Sequence, residues 1–312
     1  MNWKTLLKIV VSLGILVFAF WQAGIAQTVS ALKQANLWWL PVGVLALLIG
    51  QLMSAYRWQL LTRTLGFQAN LKTLYTFYLM GMYFSLFLPS AIGGDVGRMV
   101  YLAKHDNKRK REAFLTILAE RGVGFLAILI LTSVVGLTPP AHVIPASVRW
   151  TLAGMTLCGL LGLVVLRQPV VMAWVARIPK LGLLMQARPY WENTGLLVLS
   201  VTISLLFHGL MVLMHGLVAQ AFGLDIPLLY LAMVYGVTSL ISVMPFTING
   251  LGLREGAYQY LLKLVGVAPE VALAFGIFYF LITTLVSLVG GLLFVAGHYQ
   301  KPTPEAVEAL EA

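Results

Sequence analysis

Charge is scarce in this chain: 10% of its 312 residues are Asp, Glu, Lys or Arg, where an ordinary soluble domain carries about a quarter. Cysteine is almost missing. The single Cys158 excludes an intramolecular disulfide, and no Cys/His cluster has the spacing of a zinc site, so no metal and no cofactor is expected. The glycines of Gly93-Gly94-Asp95-Val96-Gly97 lack the Lys-Ser/Thr that would make a P-loop. Ser85 and Ser90 lack a local base and acid, which leaves nucleophilic catalysis without a constellation. Acidic residues number 11 against 21 Lys and Arg, a net charge of +10. Such a surplus would suit nucleic acid, but the basic residues fall in short stretches between apolar runs. That is the pattern of the positive-inside rule, with attraction to anionic lipid, and no nucleic-acid partner is expected.

What the chain has in excess is apolar length. Its mean hydropathy is +0.88, and several segments approach the roughly 20 apolar residues that cross a hydrocarbon core. An all-α polytopic membrane protein follows, a single membrane domain over 1–312. Six spans are predicted at about 5–25, 37–56, 113–136, 149–166, 194–221 and 270–296, the first read as a retained anchor rather than a cleaved signal peptide. A polar connector holding Lys33 follows the first span, and Trp38 and Trp39 open the second as interfacial anchors. The connector with Arg167, Arg177, Lys180 and Arg188 among Trp174, Leu183, Leu184 and Trp191 is predicted to lie on the membrane surface as a helix.

Two apolar helices, 73–88 and 228–244, instead run into breaks at Pro89 and Pro245. Short helices from Asp95 to Lys104 and from Leu253 to Val265 follow, too short to cross alone. At an offset of 156 residues Pro89 falls on Pro245, Gly94 on Gly250 and Arg98 on Arg254. Each pair is predicted to form a re-entrant hairpin. Sorting the 21 basic residues puts fifteen inside, among them Arg57, Arg63 and Lys72 in one connector and the run Lys104 to Arg111. Lys33, Arg149 and Lys263 fall outside, and Arg98, Arg121 and Arg254 at membrane depth. The sorting sends the two hairpins in from opposite sides. The expectation is therefore an inverted repeat, about 1–156 and 157–300, with both termini and the tail 301–312 cytoplasmic, a plan that serves alternating access in many transporters.

Six ionisable residues lie within apolar surroundings: Asp95, Arg98, Glu120, Arg121, Arg254 and Glu255. An intramembrane charge is costly and ordinarily faces a partner or a cavity. A buried ion-pair network that fixes hairpin packing is one reading. The other starts from the 156-residue offset, which repeats the arginine but not the acid, as an anion site would. Helix amino termini near Gly94 and Gly250 would add to the positive potential, and a lipid phosphate suits paired hydrogen bonds from Arg98 and Arg254. His208 and His215, seven apart on one face, are read first as packed and hydrogen-bonded, with a proton relay as the alternative.

Pro89, Gly93-Gly94-Asp95 and Arg98, then Glu120-Arg121-Gly122, then Gly250-Leu251-Gly252-Leu253-Arg254-Glu255 resemble the motifs of the lysylphosphatidylglycerol synthase transmembrane-region family, with its YbhN-like stand-alone inner-membrane members. The resemblance implies a flippase-like domain of the bacterial inner membrane that moves an aminoacylated phospholipid or another lipid. A polyprenyl-linked lipid is the other substrate class it suggests. The cytoplasmic aminoacyl transferase domain of fused members has no room in 312 residues, so a transporter rather than an enzyme is expected. Gly93, Gly94, Asp95, Arg98, Glu120, Arg121, Gly250, Gly252, Arg254 and Glu255 are the expected substrate-binding residues. The rival expectation is a scaffold for a membrane glycosyltransferase or another lipid-modifying enzyme.

Overall fold

The computed structural model describes residues 3–87, 93–107, 109–178, 182–243, 250–297 and 299, and the regular elements among them are all helical. Pro89 and Pro245, where the breaks are predicted, and the tail 301–312 lie outside the described residues. The first half comprises α1 (Trp3–Ala23), α2 (Ile25–Gln34), α3 (Trp39–Thr64), α4 (Leu71–Phe87), α5 (Gly93–His105) and α6 (Lys110–Gly136). A 3-10 turn at Pro139–Val143 leads into α7 (Ala146–Leu166), and then come α8 (Pro169–Ala176), α9 (Gly182–Glu192) and α10 (Thr194–Ala221). The last three are α11 (Leu228–Val243), α12 (Leu253–Lys263) and α13 (Pro269–Ala296).

Among the described residues, α3, α6, α7, α10 and α13 are each long and apolar enough to cross a membrane, and α1 with α2 would make a sixth span bent by 76°. These are the six spans predicted from hydropathy, with three corrections. The connector after the first span is helical: Gly24, at φ +72, turns the chain and α2 restarts at once with Thr28 Oγ1 donating to the Gly24 carbonyl at 2.8 Å. The second span continues eight residues past the predicted end at 56, because Ser54, Arg57, Trp58, Leu61 and Thr62 still present buried side chains three and four apart. Arg57 therefore leaves the connector and enters the bundle. The surface segment is two short helices, α8 and α9, rather than one.

Helices α3 and α10 pack against each other at the centre. The α4–α5 hairpin packs against α13, and α11, which pairs with α12, packs against α6. Helix α1 rests on α12 and α13, where Gln259 Nε2 donates to the Ala19 carbonyl at 3.0 Å. At one end of the bundle Asp106 ties two loops together, accepting from the backbone N–H of Gln68 at 2.5 Å and of Ala69 at 3.2 Å. Partial burial would raise the Asp106 carboxyl, but His105 and those two N–H groups outweigh it and hold the group below its ordinary value.

The contact between α4 and α13 depends on Gly290. A Cβ added there would lie 2.0 Å from the Leu79 carbonyl oxygen, a backbone atom that cannot swing away. Gly290→Ala is expected to destabilise by about 1–3 kcal/mol through overpacking, against the usual gain of Gly→Ala in a helix. Gly154→Ala, whose Cβ would meet nothing within 4 Å, should melt in detergent no lower than the wild type. Equal melting of Gly290→Ala and the wild type would show that the helices are not this close.

Candidate functional site

The hairpin α4–α5 closes because two glycines face each other. A Cβ on Gly94 would lie 2.2 Å from the Gly81 carbonyl oxygen, so α5 can approach α4 only with glycine there. Helix α5 starts at Gly93, two residues before Asp95, and puts Asp95 in its first turn, where a carboxylate suits the free N–H groups. One turn on, Arg98 points back across the hairpin toward α6.

There the charges meet. Asp95 accepts from Arg98 Nη1 at 3.3 Å and from Arg121 Nε. Glu120 accepts from Arg98 Nη2 at 3.3 Å, from Arg57 Nη2 and from the Tyr78 hydroxyl at 3.4 Å. Arg57 also donates through Nη1 to Ser204 Oγ on α10 at 2.6 Å. The Arg98 guanidinium sits in the corner of two rings, 4.2 Å from the Trp58 centroid and 4.0 Å from that of Tyr78. Arg57, Arg98 and Glu120 are at most 4% exposed, whereas the Arg121 side chain is 43% exposed. The Nε–H groups of Arg57 and Arg98 are buried with no partner among the described residues.

Among the described residues, three arginines against two carboxylates leave this cluster one positive charge in excess. Its members Arg57, Arg98, Glu120 and Arg121 line a chamber of about 430 Å³ whose far wall is His208 on α10 and Tyr235 on α11. His208 donates through Nε2 to the Gly124 carbonyl at 3.0 Å and accepts at Nδ1 from the Tyr235 hydroxyl at 2.7 Å. His215 donates through Nδ1 to the Met211 carbonyl at 2.8 Å and accepts from the Tyr258 hydroxyl at 2.9 Å. Both rings thus have both nitrogens occupied in the neutral form, which fits the packed reading of the two histidines. Among the described residues no group of three or more His, Cys, Asp and Glu is arranged to hold a metal ion.

Of the residues expected from sequence, the structure brings together Asp95, Arg98, Glu120 and Arg121. Gly93 and Gly94 are buried at the start of α5. Arg254 and Glu255 are not brought to this chamber. Arg254 donates from Nη2 to its own neighbour Glu255 at 2.6 Å and lies 5.9 and 5.4 Å from the ring centroids of Tyr279 and Phe280. Glu255 also accepts from the Gly252 N–H at 2.7 Å, capping α12. Gly250 and Gly252 turn the chain at φ +76 and +83, and Gly252 lies against α1, where a Cβ would sit 2.7 Å from the Ser12 carbonyl oxygen. The partner that Arg98 was expected to find in Arg254 is supplied by Arg57. The signal for it was the stripe Gly43, Leu47, Gly50, Ser54, Arg57, Leu61, all buried and spaced alternately four and three apart.

A helical bundle with five or six membrane-length helices and charges buried at its core is a multi-pass integral membrane protein. The chain belongs to the lysylphosphatidylglycerol synthase transmembrane-region family, whose model matches residues 5–291. It is similar to a UPF0104 membrane protein of Methanothermobacter thermautotrophicus, 25% identical over 279 residues, covering 80% of this chain and 82% of the relative. A shorter stretch of 79 residues is 35% identical to a UPF0104 membrane protein of Methanocaldococcus jannaschii, covering 25% of this chain and 23% of that relative.

Proposed function

We propose that this protein is a lipid translocase of the plasma membrane, with its termini on the cytoplasmic side, and that the substrate is an anionic, phosphate-bearing lipid. The observation that carries the reading is the charge count of the chamber. A network that only held helices together would be best paired off, since an uncompensated buried charge is costly. Among the described residues the arginines of this cluster outnumber its carboxylates by one, beside a space large enough for a headgroup, and one phosphodiester would balance the charge. Arginine suits that partner because its planar fork can donate two parallel hydrogen bonds to phosphate.

The inverted repeat belongs to the same proposal. Its support is the pairing of helices: α4 against α13 has its counterpart in α11 against α6, and α5 against α6 in α12 against α13. Under that exchange α3 and α10 swap places across their own contact. Two halves of opposite orientation around one chamber could open it to either side in turn.

The test is a reconstitution. Proteoliposomes holding a phospholipid with a fluorescent headgroup are treated with membrane-impermeant dithionite. Wild-type protein should expose the lipid of the inner leaflet to quenching at a rate that protein-free vesicles do not show. Equal quenching with and without protein would contradict the translocase and leave the scaffold reading.

A further inference from the structure

Two apolar grooves border the cationic chamber, one on each side of its mouth. The first, about 520 Å³, runs between α6, α7 and α9 and includes Leu118, Gly122, Phe125, Cys158 and Leu163. The second, about 650 Å³, runs between α7, α11 and α12 and includes Phe125, Thr151, Leu240, Val243 and Tyr260. The chamber shares Gly122 and Phe125 with the first groove, and Phe125, Leu240 and Val243 with the second. Phe125 is the residue common to all three spaces.

The grooves lie at different levels along α7 and meet at Phe125 and Met155, which line both. Helix α7 runs antiparallel to α6: Ser133 bonds Thr156 at 2.7 Å, Arg149 Nη1 donates to the Gly136 carbonyl at 3.2 Å, and Gly159 faces Leu126. The first groove takes the early turns of α6 with the late turns of α7, from Leu115 and Leu163 inward. The second takes the early turns of α7 and the ends of α11 and α12. Thr151 and Cys158 are seven positions apart on α7, about 10 Å at 1.5 Å per residue, so the two grooves are offset along the helix axis. Helix α7 itself is sparsely covered, with Leu152 and Thr156 its buried residues.

We propose that the two grooves are successive seats for the acyl chains of one phospholipid, before and after it reorients, while its phosphate stays in the shared chamber. Phe125 and Met155, which line both grooves, are the side chains the chains must pass. This rests on the translocase reading and adds the path to it. The occupant is a phospholipid because the grooves are apolar and are continuous with a chamber whose described residues carry surplus positive charge. Keeping the headgroup in place and swinging the chains avoids drawing a charged group through hydrocarbon, the costly step in unassisted flipping. The path also gives the open wall beside α7 a purpose: the chains never leave the apolar phase.

Plugging the grooves separately tests this. Cys158 and Thr151 are both exposed positions of α7, each lining one groove and not the chamber. Cys158→Trp should close the first groove and Thr151→Trp the second. Each single variant is expected to retain phospholipid in native mass spectrometry, through the groove left open, yet to translocate at least tenfold more slowly in the dithionite assay. The double variant should lose the retained lipid. Wild-type translocation rates in both single variants would overturn the path while leaving the translocase intact. Loss of retained lipid in either single variant would overturn it too, since both grooves would then be filled at once. A wild type that retains lipid but never translocates it would instead sink the underlying reading.

Discussion

Glu120→Gln is expected to destabilise this protein more than any other single isosteric change in it. The carboxylate is 2% exposed and lies between two arginines that are each 4% exposed. Neutralising it raises the excess charge of the described cluster from one to two and leaves the buried Arg57 without a carboxylate, with neutral acceptors such as Ser204 in its place. Removing one partner from a buried ion pair costs about 3–5 kcal/mol, mainly because the other charge is stranded. Thermal unfolding in detergent should show that loss directly. Arg57→Met combined with Glu120→Met should recover much of it, because the pair is then removed without leaving a stranded charge. A Glu120→Gln protein that melts with the wild type but no longer translocates lipid would make Glu120 a gate rather than a counterion.

Arg98→Ala carries the second large expectation, on binding rather than folding. It brings the cluster from one excess positive charge to none and empties the space between Trp58 and Tyr78. A hydrogen bond to a charged group contributes about 1.5–3 kcal/mol, so affinity for a phosphate-bearing lipid should fall on the order of tenfold to a hundredfold. Arg98→Lys should recover part of this, keeping the charge but losing the planar fork. Arg254→Ala should leave lipid affinity unchanged, since that arginine is neutralised by Glu255 away from the chamber. A fall as large for Arg254→Ala as for Arg98→Ala would restore the shared site expected from the 156-residue offset.

The reasons for success and failure at the level of sequence are physical. Membrane spans were legible because each hydrophobic run must cover a fixed thickness, and the six expected stretches coincide with membrane-length helices or, for α1 and α2, a bent pair. Asp95, Arg98, Glu120 and Arg121 stood out because intramembrane charge is rare, and the helices do bring them together. Arg57 did not stand out. It sits at the end of an apolar run, where a basic residue ordinarily marks a loop, and only the small-residue stripe of α3 carries it into the core. Arg254 lies apart from the chamber for a different reason: local similarity to Arg98 says nothing about which neighbour pairs with it, and Glu255 is adjacent in sequence. The sharp turn at Gly24 also escaped the hydropathy pattern, because a single positive-φ glycine leaves no mark on composition.

The chamber is proposed to hold a phosphate through its surplus arginine charge. This binding is tested most directly by the affinity of the folded protein for a phosphodiester lipid and for a diacylglycerol with the same chains, with the wild type and Arg98→Ala compared. The wild type is expected to bind the phosphodiester at least tenfold more tightly, and most of this preference should disappear in Arg98→Ala. Equal affinity of the wild type for both lipids would contradict it.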